Sequence, residues 1–331
     1  MKAARVSAFG GPEAVAIADI PRPEPGPGEV LVEVRAVAVN YVDLVVIAGR
    51  YQFKPSLPFT PGKGPAGVIA AVGPGVSHLK RGDRVLAMAE IGSYAEFATA
   101  PADQCYPLPS GMSFVDAAAM ALAHDTAWFA LRERARFRSG ETVLVLGASG
   151  AVGLAAVSIA KALGGRVLAA VSSMARAEPP RRAGADAVID LSVPDIHESL
   201  RAQVQAATDG RGADIVIDPI GDRFFAAALR ALAWRGRLVV VGFAAGEIPT
   251  LKANYLLVKN IEVSGLQISD YRKRVPQEVA ACFAEVFDLH ARGAIRAPAT
   301  TVMPLDNASE ALRLLQDRKA EARLILVPGG T

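Results

Sequence analysis

The chain has 331 residues, 51% hydrophobic and 21% charged, which is enough for two domain-sized cores at roughly 100–200 residues per domain. Its formal net charge is only +3, with Lys and Arg spread along the chain, so no basic stripe follows a nucleic-acid backbone and no nucleic-acid partner is expected. No apolar run reaches the ~18 residues of a membrane span, the start "MKAARVSAFGGPE" lacks a signal peptide's apolar block, and the isolated Cys105 and Cys282 build neither a disulfide framework nor a zinc lobe. A cytoplasmic protein with buried thiols and no membrane partner is expected.

The first hundred residues alternate β-like runs with Gly/Pro turns. "PRPEPGPGEV" is an extended turn, "EVLVEVRAVAVN" has the period-two alternation of a strand, and "KRGDRVLAMA" sets a charged turn before another. From about Ala118 the texture changes to helix-like segments between the strands "TVLVLG", "RVLAAVS", "DAVIDL", "DIVIDPIG" and "RLVVVGF". That alternation predicts right-handed βαβ crossovers around a parallel sheet. "LLVKNIEVSGLQI" closes this region and reads as an edge strand that pairs with its copy in a homodimer, the alternative being an edge blunted by Lys259 and Glu262. Then come the amphipathic "QEVAACFAEVFDLHARG", the β-like "ATTVMP", the helix "LDNASEALRLLQDR" and the strand "RLILVP". Strands this short need partners, and the N-terminal β region offers them. The first domain is therefore predicted to be discontinuous, residues 1–122 with 267–331, and the second to span 123–266.

The strand "ETVLVLG" runs into "ASGAVG" and then the helix "LAAVSIAKALGG". A strand–turn–helix junction is the setting in which G-x-G-x-x-G holds a dinucleotide pyrophosphate against a helix N-terminus. Ala148 takes the first glycine position, Gly150 lets the backbone approach the pyrophosphate, and Gly153 lets the helix pack closely on the strand. An NAD site usually ends its second strand with an acid that binds the ribose 2′-OH, but "AAVSSMAR" ends it with Ser172 and Ser173, followed by Arg176. Hydroxyls and a guanidinium suit a 2′-phosphate, so NADPH is the expected cofactor; a loop serine pair with a solvated arginine is the alternative.

In order along the chain stand "VNYVDL", "PGKGPAGVIAAVGPGV", "GDRVLAM", "GSYAEF", "TAWFAL", "GASGAVG" and "GADAVID". Through these strings, over nearly its full length, the chain resembles the zinc-free quinone oxidoreductases of the medium-chain dehydrogenase/reductase superfamily. The resemblance implies an α/β fold in which a GroES-like β-rich catalytic domain accompanies a Rossmann doubly wound parallel-sheet domain. It also implies dimeric assembly and NADPH-dependent reduction of quinones or activated enones. Cofactor contacts carried over are Thr126, the turn residues Ala148, Ser149, Gly150, Ala151, Val152 and Gly153, then Ser172, Ser173, Arg176, Gly242, Phe243 and Arg318. Leu191 stands where members often place a Tyr that frames the adenine ribose phosphate, and Lys63 where they usually carry a small or acidic residue.

Zinc-dependent relatives use Cys, a His-Glu pair and another Cys to polarise oxygen. Aligned through the same strings, those positions hold Asn40, Lys63, Gly64 and Leu122, and His78, His124, His197 and His290 are scattered, so no metal is expected. Carbonyl polarisation then falls to hydrogen-bond donors. The resemblance points to Asn40 and Tyr51 as pocket residues; Asn40 satisfying its own backbone and Tyr51 packing at a rim are the alternatives. Lys63 takes a metal ligand's position and would stabilise an oxyanion or donate a proton; the alternatives are pairing with Asp43 or Asp125, or snorkelling to solvent. His124 and Asp125 beside Thr126 suggest a proton relay or a helix-start histidine capped by its neighbour. The functions in competition are NADPH-dependent quinone or enone reduction, enoyl-thioester reduction, and NADPH binding without significant turnover.

Overall fold

Valine alternation along Glu29–Ala38 buries Val30, Val32 and Val34, each at most 3% exposed, on one face of a ten-residue strand in the computed structural model, which describes residues 1–329. This strand pairs antiparallel with Ala66–Val72 along one edge, and along the other with Phe97–Pro101 and with Arg323–Val327. Arg84–Ala87 and Cys105–Pro107 continue the sheet on one side, and Thr300–Pro304 flanks Arg323–Val327 on the other. The C-terminal strands thus find the partners their shortness demands. Cys105 and Cys282 are buried and form no disulfide, and burial pushes the Cys105 thiol up to about 12.

A second sheet has six parallel strands in the order Ala187–Asp190, Arg166–Val171, Thr142–Val145, Ala213–Asp218, Leu232–Val240, Glu262–Gly265. Val143, Leu144, Val145, Leu168, Val216 and Ile217 are fully buried, the near-continuous apolar content of strands covered on both faces. Strand order reverses between Thr142–Val145 and Ala213–Asp218. Ligands of open α/β sheets bind outside the strands' carboxyl ends at such a point.

Two compact units contain these sheets: Met1–Leu122, Arg272–Phe283 and the chain from Ala297 on form one, Ala123–Tyr271 and Ala284–Arg296 the other. The boundary read from sequence at 267 therefore differs from the structural division. The ring of Tyr271 lies 4.7 Å from that of Phe129, and Trp128 Nε1 donates to Glu285 Oε2 at 2.6 Å. Those contacts tie 267–271 and the second half of the helix Pro276–Ala291 to the helix Ala123–Phe129, which periodicity alone does not foretell.

Candidate functional site

The turn after Thr142–Val145 is built around Gly147, whose φ of +58° is one that side chains disfavour and whose carbonyl accepts from Gly150 N–H at 2.9 Å. Ala148 N–H donates to Ala170 O at 3.0 Å, which fixes the turn to the neighbouring strand. Gly150 is the N-cap of the helix Ala151–Ala162, with no side-chain cap and no acidic residue in the first turn. The first amides of that helix lack intrahelical acceptors, and the dipole favours an anion there. A β-carbon on Gly150 would meet only Gly147 O, at 3.3 Å, a close contact with a single atom. Gly153 is different: its β-carbon would lie 2.2 Å from Gly147 O and 2.8 Å from Ala148 Cα. Ser149, Gly150, Ala151 and Val152 are exposed or half-exposed, as a cradle for a pyrophosphate must be.

The second strand, Arg166–Val171, ends in Ser172 and Ser173 without a carboxylate. Ser173 Oγ accepts from Ala175 N–H at 3.3 Å, starting the short turn Met174–Arg176, and Arg176 is exposed. Leu191 is 3% exposed and packs in the parallel-sheet core, so it cannot frame a ribose as a tyrosine would. Asp218 ends the fourth strand; its Oδ1 accepts from Ile220 and Gly221 N–H at 2.9 and 2.8 Å, and its carbonyl from Val241 and Gly242 N–H. Burial pushes its carboxyl up, and these amides oppose the shift. Ala244 N–H to Pro219 O and Ala245 N–H to Ile220 O complete a zipper that holds Gly242 and Phe243 over the strand ends. Since all six strands are parallel, Ala148–Gly153, Ser172, Ser173, Arg176, Gly242 and Phe243 converge at one end of one sheet. Thr126 is buried on the helix Ala123–Phe129 of the same unit, where Asp125 Oδ1 accepts its N–H at 2.7 Å. Arg318 is exposed in a turn of the other unit, with φ +57°.

In that other unit, Pro61–Gly64 lies along residues 92–94 through Ser93 N–H to Gly62 O and Tyr94 N–H to Pro61 O. Gly62 and Gly64 have φ of +94° and +68°, and a β-carbon on Gly62 would enter the Tyr94 ring at 2.2 Å. The bracket turns Lys63 inward, leaving it 2% exposed. Its ammonium pairs with Glu90 Oε2 and lies 5.4 Å from the Tyr51 ring centroid, so the structure brings Tyr51 and Lys63 together. The hydrogen-bonded ion pair is with Glu90 rather than with Asp43 or Asp125, and 2% exposure rules out snorkelling to solvent. Arg272, 1% exposed, approaches the other Glu90 oxygen at 3.6 Å.

Asp43 Oδ2 accepts from Tyr94 Oη–H at 2.7 Å and from Asn40 N–H at 2.9 Å. Burial pushes its carboxyl up against the pull of these bonds and of the Lys63 charge. Burial and the facing Asp43 charge raise Tyr94 well above the usual phenol range. Asn40 Nδ2 donates to Ala38 O at 2.9 Å and its Oδ1 accepts from Arg323 at 2.5 Å, so the amide is held by its own strand end and by the C-terminal strand. Burial lowers Arg323, and Asp43 and Tyr94 counteract it. Glu90, Arg272, Arg323, Tyr94 and Asp218 were not singled out from the sequence, and none of them carries a local signal.

Residues 26–110 match the alcohol dehydrogenase GroES-like domain and residues 151–285 the family described as zinc-binding dehydrogenase. Together with the two sheets, these matches define a two-domain dehydrogenase/reductase of the medium-chain type. Among the described residues, no group of three or more His, Cys, Asp or Glu side chains is placed to hold a metal ion. A quinone oxidoreductase-like protein 2 homolog of Nematostella vectensis is 34% identical over 303 residues, 91% of this chain and 82% of that protein. The Escherichia coli quinone oxidoreductase, solved in complex with NADPH, superimposes with TM-score 0.91 at 29% identity, covering 99% of this chain and 100% of that one. The chain belongs to the quinone oxidoreductase family of the medium-chain dehydrogenase/reductase superfamily. A phthioceranic/hydroxyphthioceranic acid synthase of Mycobacterium tuberculosis is also 34% identical over 318 residues, 96% of this chain but 15% of that protein.

Proposed function

We propose that the chain is an NADPH-dependent oxidoreductase that reduces quinones or α,β-unsaturated carbonyls without zinc. The observation that carries this reading is the open, uncapped helix start at Gly150 beside a second strand that ends in serines rather than an acid. The amides of Ser149 and of 151–153 would hold the pyrophosphate, and Ser172, Ser173 and Arg176 the 2′-phosphate, while Thr126, Gly242, Phe243 and Arg318 would make the remaining contacts. Bound there, the cofactor supplies hydride. This chain's residues must then meet the charge that develops on the acceptor oxygen. Lys63 is the cation at the position of a metal ligand in zinc-dependent relatives, and Tyr51 and Asn40 are the neutral donors proposed with it. An acceptor activated only by such donors must take hydride readily, as quinones and enones do.

Steady-state oxidation of NADPH against a panel of quinones and enones tests the reading, with metal analysis expected to find no stoichiometric zinc. The synthase relative favours a second reading, reduction of an enoyl thioester. Turnover of crotonyl-CoA exceeding that of every quinone would select it, and NADPH binding without turnover on any acceptor would make the chain a binding protein. We also propose a homodimer paired through Glu262–Gly265, the sheet's edge strand. Among the described residues, no helix is long and apolar enough to cross a membrane.

A further inference from the structure

We propose that Lys63 and Glu90 form a proton relay, in which Lys63 protonates the reduced acceptor and Glu90 passes a replacement proton to Lys63 from solvent. The inference rests on the reading of Lys63 as the group that meets the acceptor oxygen. It is carried by a gradient of burial along a single ion pair: the Lys63 side chain is 2% exposed, whereas its partner Glu90 is 22% exposed. A buried ammonium that gives up a proton needs a route for its return; Glu90 Oε1 is enclosed, so that route runs through Oε2, the oxygen bonded to Lys63, on a side chain that reaches the surface. Stability alone is a poor reason for the pair, since buried ion pairs are often no more stabilising than apolar replacements.

The surroundings hold both groups in place. Arg272 approaches Glu90 Oε1 at 3.6 Å while Lys63 takes Oε2, so each carboxylate oxygen faces a cation. Tyr51 faces the Lys63 ammonium with its ring. Asp43 lies close enough to feel the Lys63 charge and is itself bonded to Tyr94, with Arg323 beyond. Glu90 is thus a positioning and relay residue that acts through Lys63.

The step balances. Hydride arriving at the acceptor carbon sends an electron pair to the acceptor oxygen. A Lys63 N–H bond breaks as the O–H bond forms, leaving a neutral amine. The Glu90 carboxylate then takes a proton from solvent water and passes it across the hydrogen bond to that amine. Lys63 and Glu90 end as ammonium and carboxylate, and one solvent proton has been consumed per hydride.

The test compares Lys63→Met, Glu90→Gln and the double variant with the unmodified protein, using NADPH with 1,4-benzoquinone and with an enone as probes. Each single variant should lower kcat at least tenfold while leaving both KM values within about twofold, Glu90→Gln should displace the pH–rate profile, and the double variant should be no slower than Lys63→Met. Without cofactor, nitrogen-15 NMR of the lysine side chains should show one signal lost in Lys63→Met and displaced in Glu90→Gln. If Glu90→Gln fails to fold, Glu90→Asp, which keeps a carboxylate for Lys63 and Arg272, and the double variant, which leaves no unpaired Lys63 ammonium, carry the comparison. A Glu90→Gln kcat and pH profile like those of the unmodified protein, beside a slow Lys63→Met, overturns the relay and spares the role of Lys63. Multiplying losses in the double variant also overturn it. An unchanged Lys63→Met, or an unmodified protein inactive with both probes, overturns the underlying reading and the relay together.

Discussion

A β-carbon on Gly153 would stand 2.2 Å from the carbonyl oxygen of Gly147, a separation no real pair of atoms tolerates. Helix and turn are therefore in backbone contact, and any side chain at 153 must push the helix off its strand. Gly153→Val should lose about 3 kcal/mol of stability, seen as a lower denaturant midpoint. Gly150→Val adds a β-carbon 3.3 Å from Gly147 O, a contact relieved by a shift of a few tenths of an ångström, so that variant should fold with a smaller loss of stability than Gly153→Val and lose NADPH binding. Tight binding by a folded Gly150→Val protein would show that the cradle lies elsewhere.

The end of the second strand makes a separate forecast about cofactor choice. Arg176→Ala should cost on the order of 1–3 kcal/mol of NADPH affinity, the range for a hydrogen bond to a charged group, and leave NADH affinity nearly unchanged. Titration of both cofactors by fluorescence measures this. Equal losses for the two would mean that Arg176 does not touch the 2′-phosphate.

What the sequence reveals follows from the range of the interaction. The glycine turn, the strands 142–145, 166–171, 187–190, 213–218 and 232–240, and the return of the C-terminal strand to the first sheet follow from local period and turn chemistry. Lys63 was visible as an unusual residue between two glycines, but its partner Glu90 lies 27 positions on. Nothing in "AMAEIG" marks that acid as inward-facing. Arg323 reaches Asn40 across 283 positions, and only the pairing of Arg323–Val327 with Glu29–Ala38 brings them together. The structural division falls after Tyr271 rather than at 267, and the contact of Tyr271 with Phe129 is a tertiary event with no periodic trace.

Burial of Asp43 makes stability depend on pH in a direction opposite to that of an ordinary paired carboxylate. Its folded pKa is raised above the usual 3.8, so the folded state holds the proton more tightly than the unfolded one. The associated stability is complete below the unfolded value and is lost as pH rises through the folded value. Asp43→Asn lacks this dependence. Denaturant unfolding of both proteins from pH 4 upward should show the unmodified protein losing stability relative to Asp43→Asn, then a plateau. A gain with rising pH would contradict the assignment. Tyr94→Phe, which removes one of the two donors to Asp43 Oδ2, should cost about 1–3 kcal/mol.

Lys259 bears on the proposed dimer. Its ammonium does not blunt the edge strand but donates to Arg230 O and Leu232 O at 2.8 and 2.6 Å, at the end of the helix Asp222–Ala231. Glu262 is drawn to Arg136 at 2.5 Å. Glu262–Gly265 pairs on one side only, with Leu232–Val240, and should pair on the other with a second copy. Sedimentation should report a dimer at micromolar concentration, and Ser264→Pro should shift it toward monomer. A monomeric unmodified protein would rule the pairing out.

The most direct measurement of the central claim is single-enzyme turnover with NADPH and NADH side by side, against quinones, enones and crotonyl-CoA, following cofactor and acceptor together. Acceptor-dependent oxidation of NADPH should occur, one acceptor reduced per NADPH, with kcat/KM at least tenfold above that for NADH and with a quinone or enone as the best acceptor. Equal use of the two cofactors, or no acceptor-dependent oxidation by protein that binds NADPH, would contradict it.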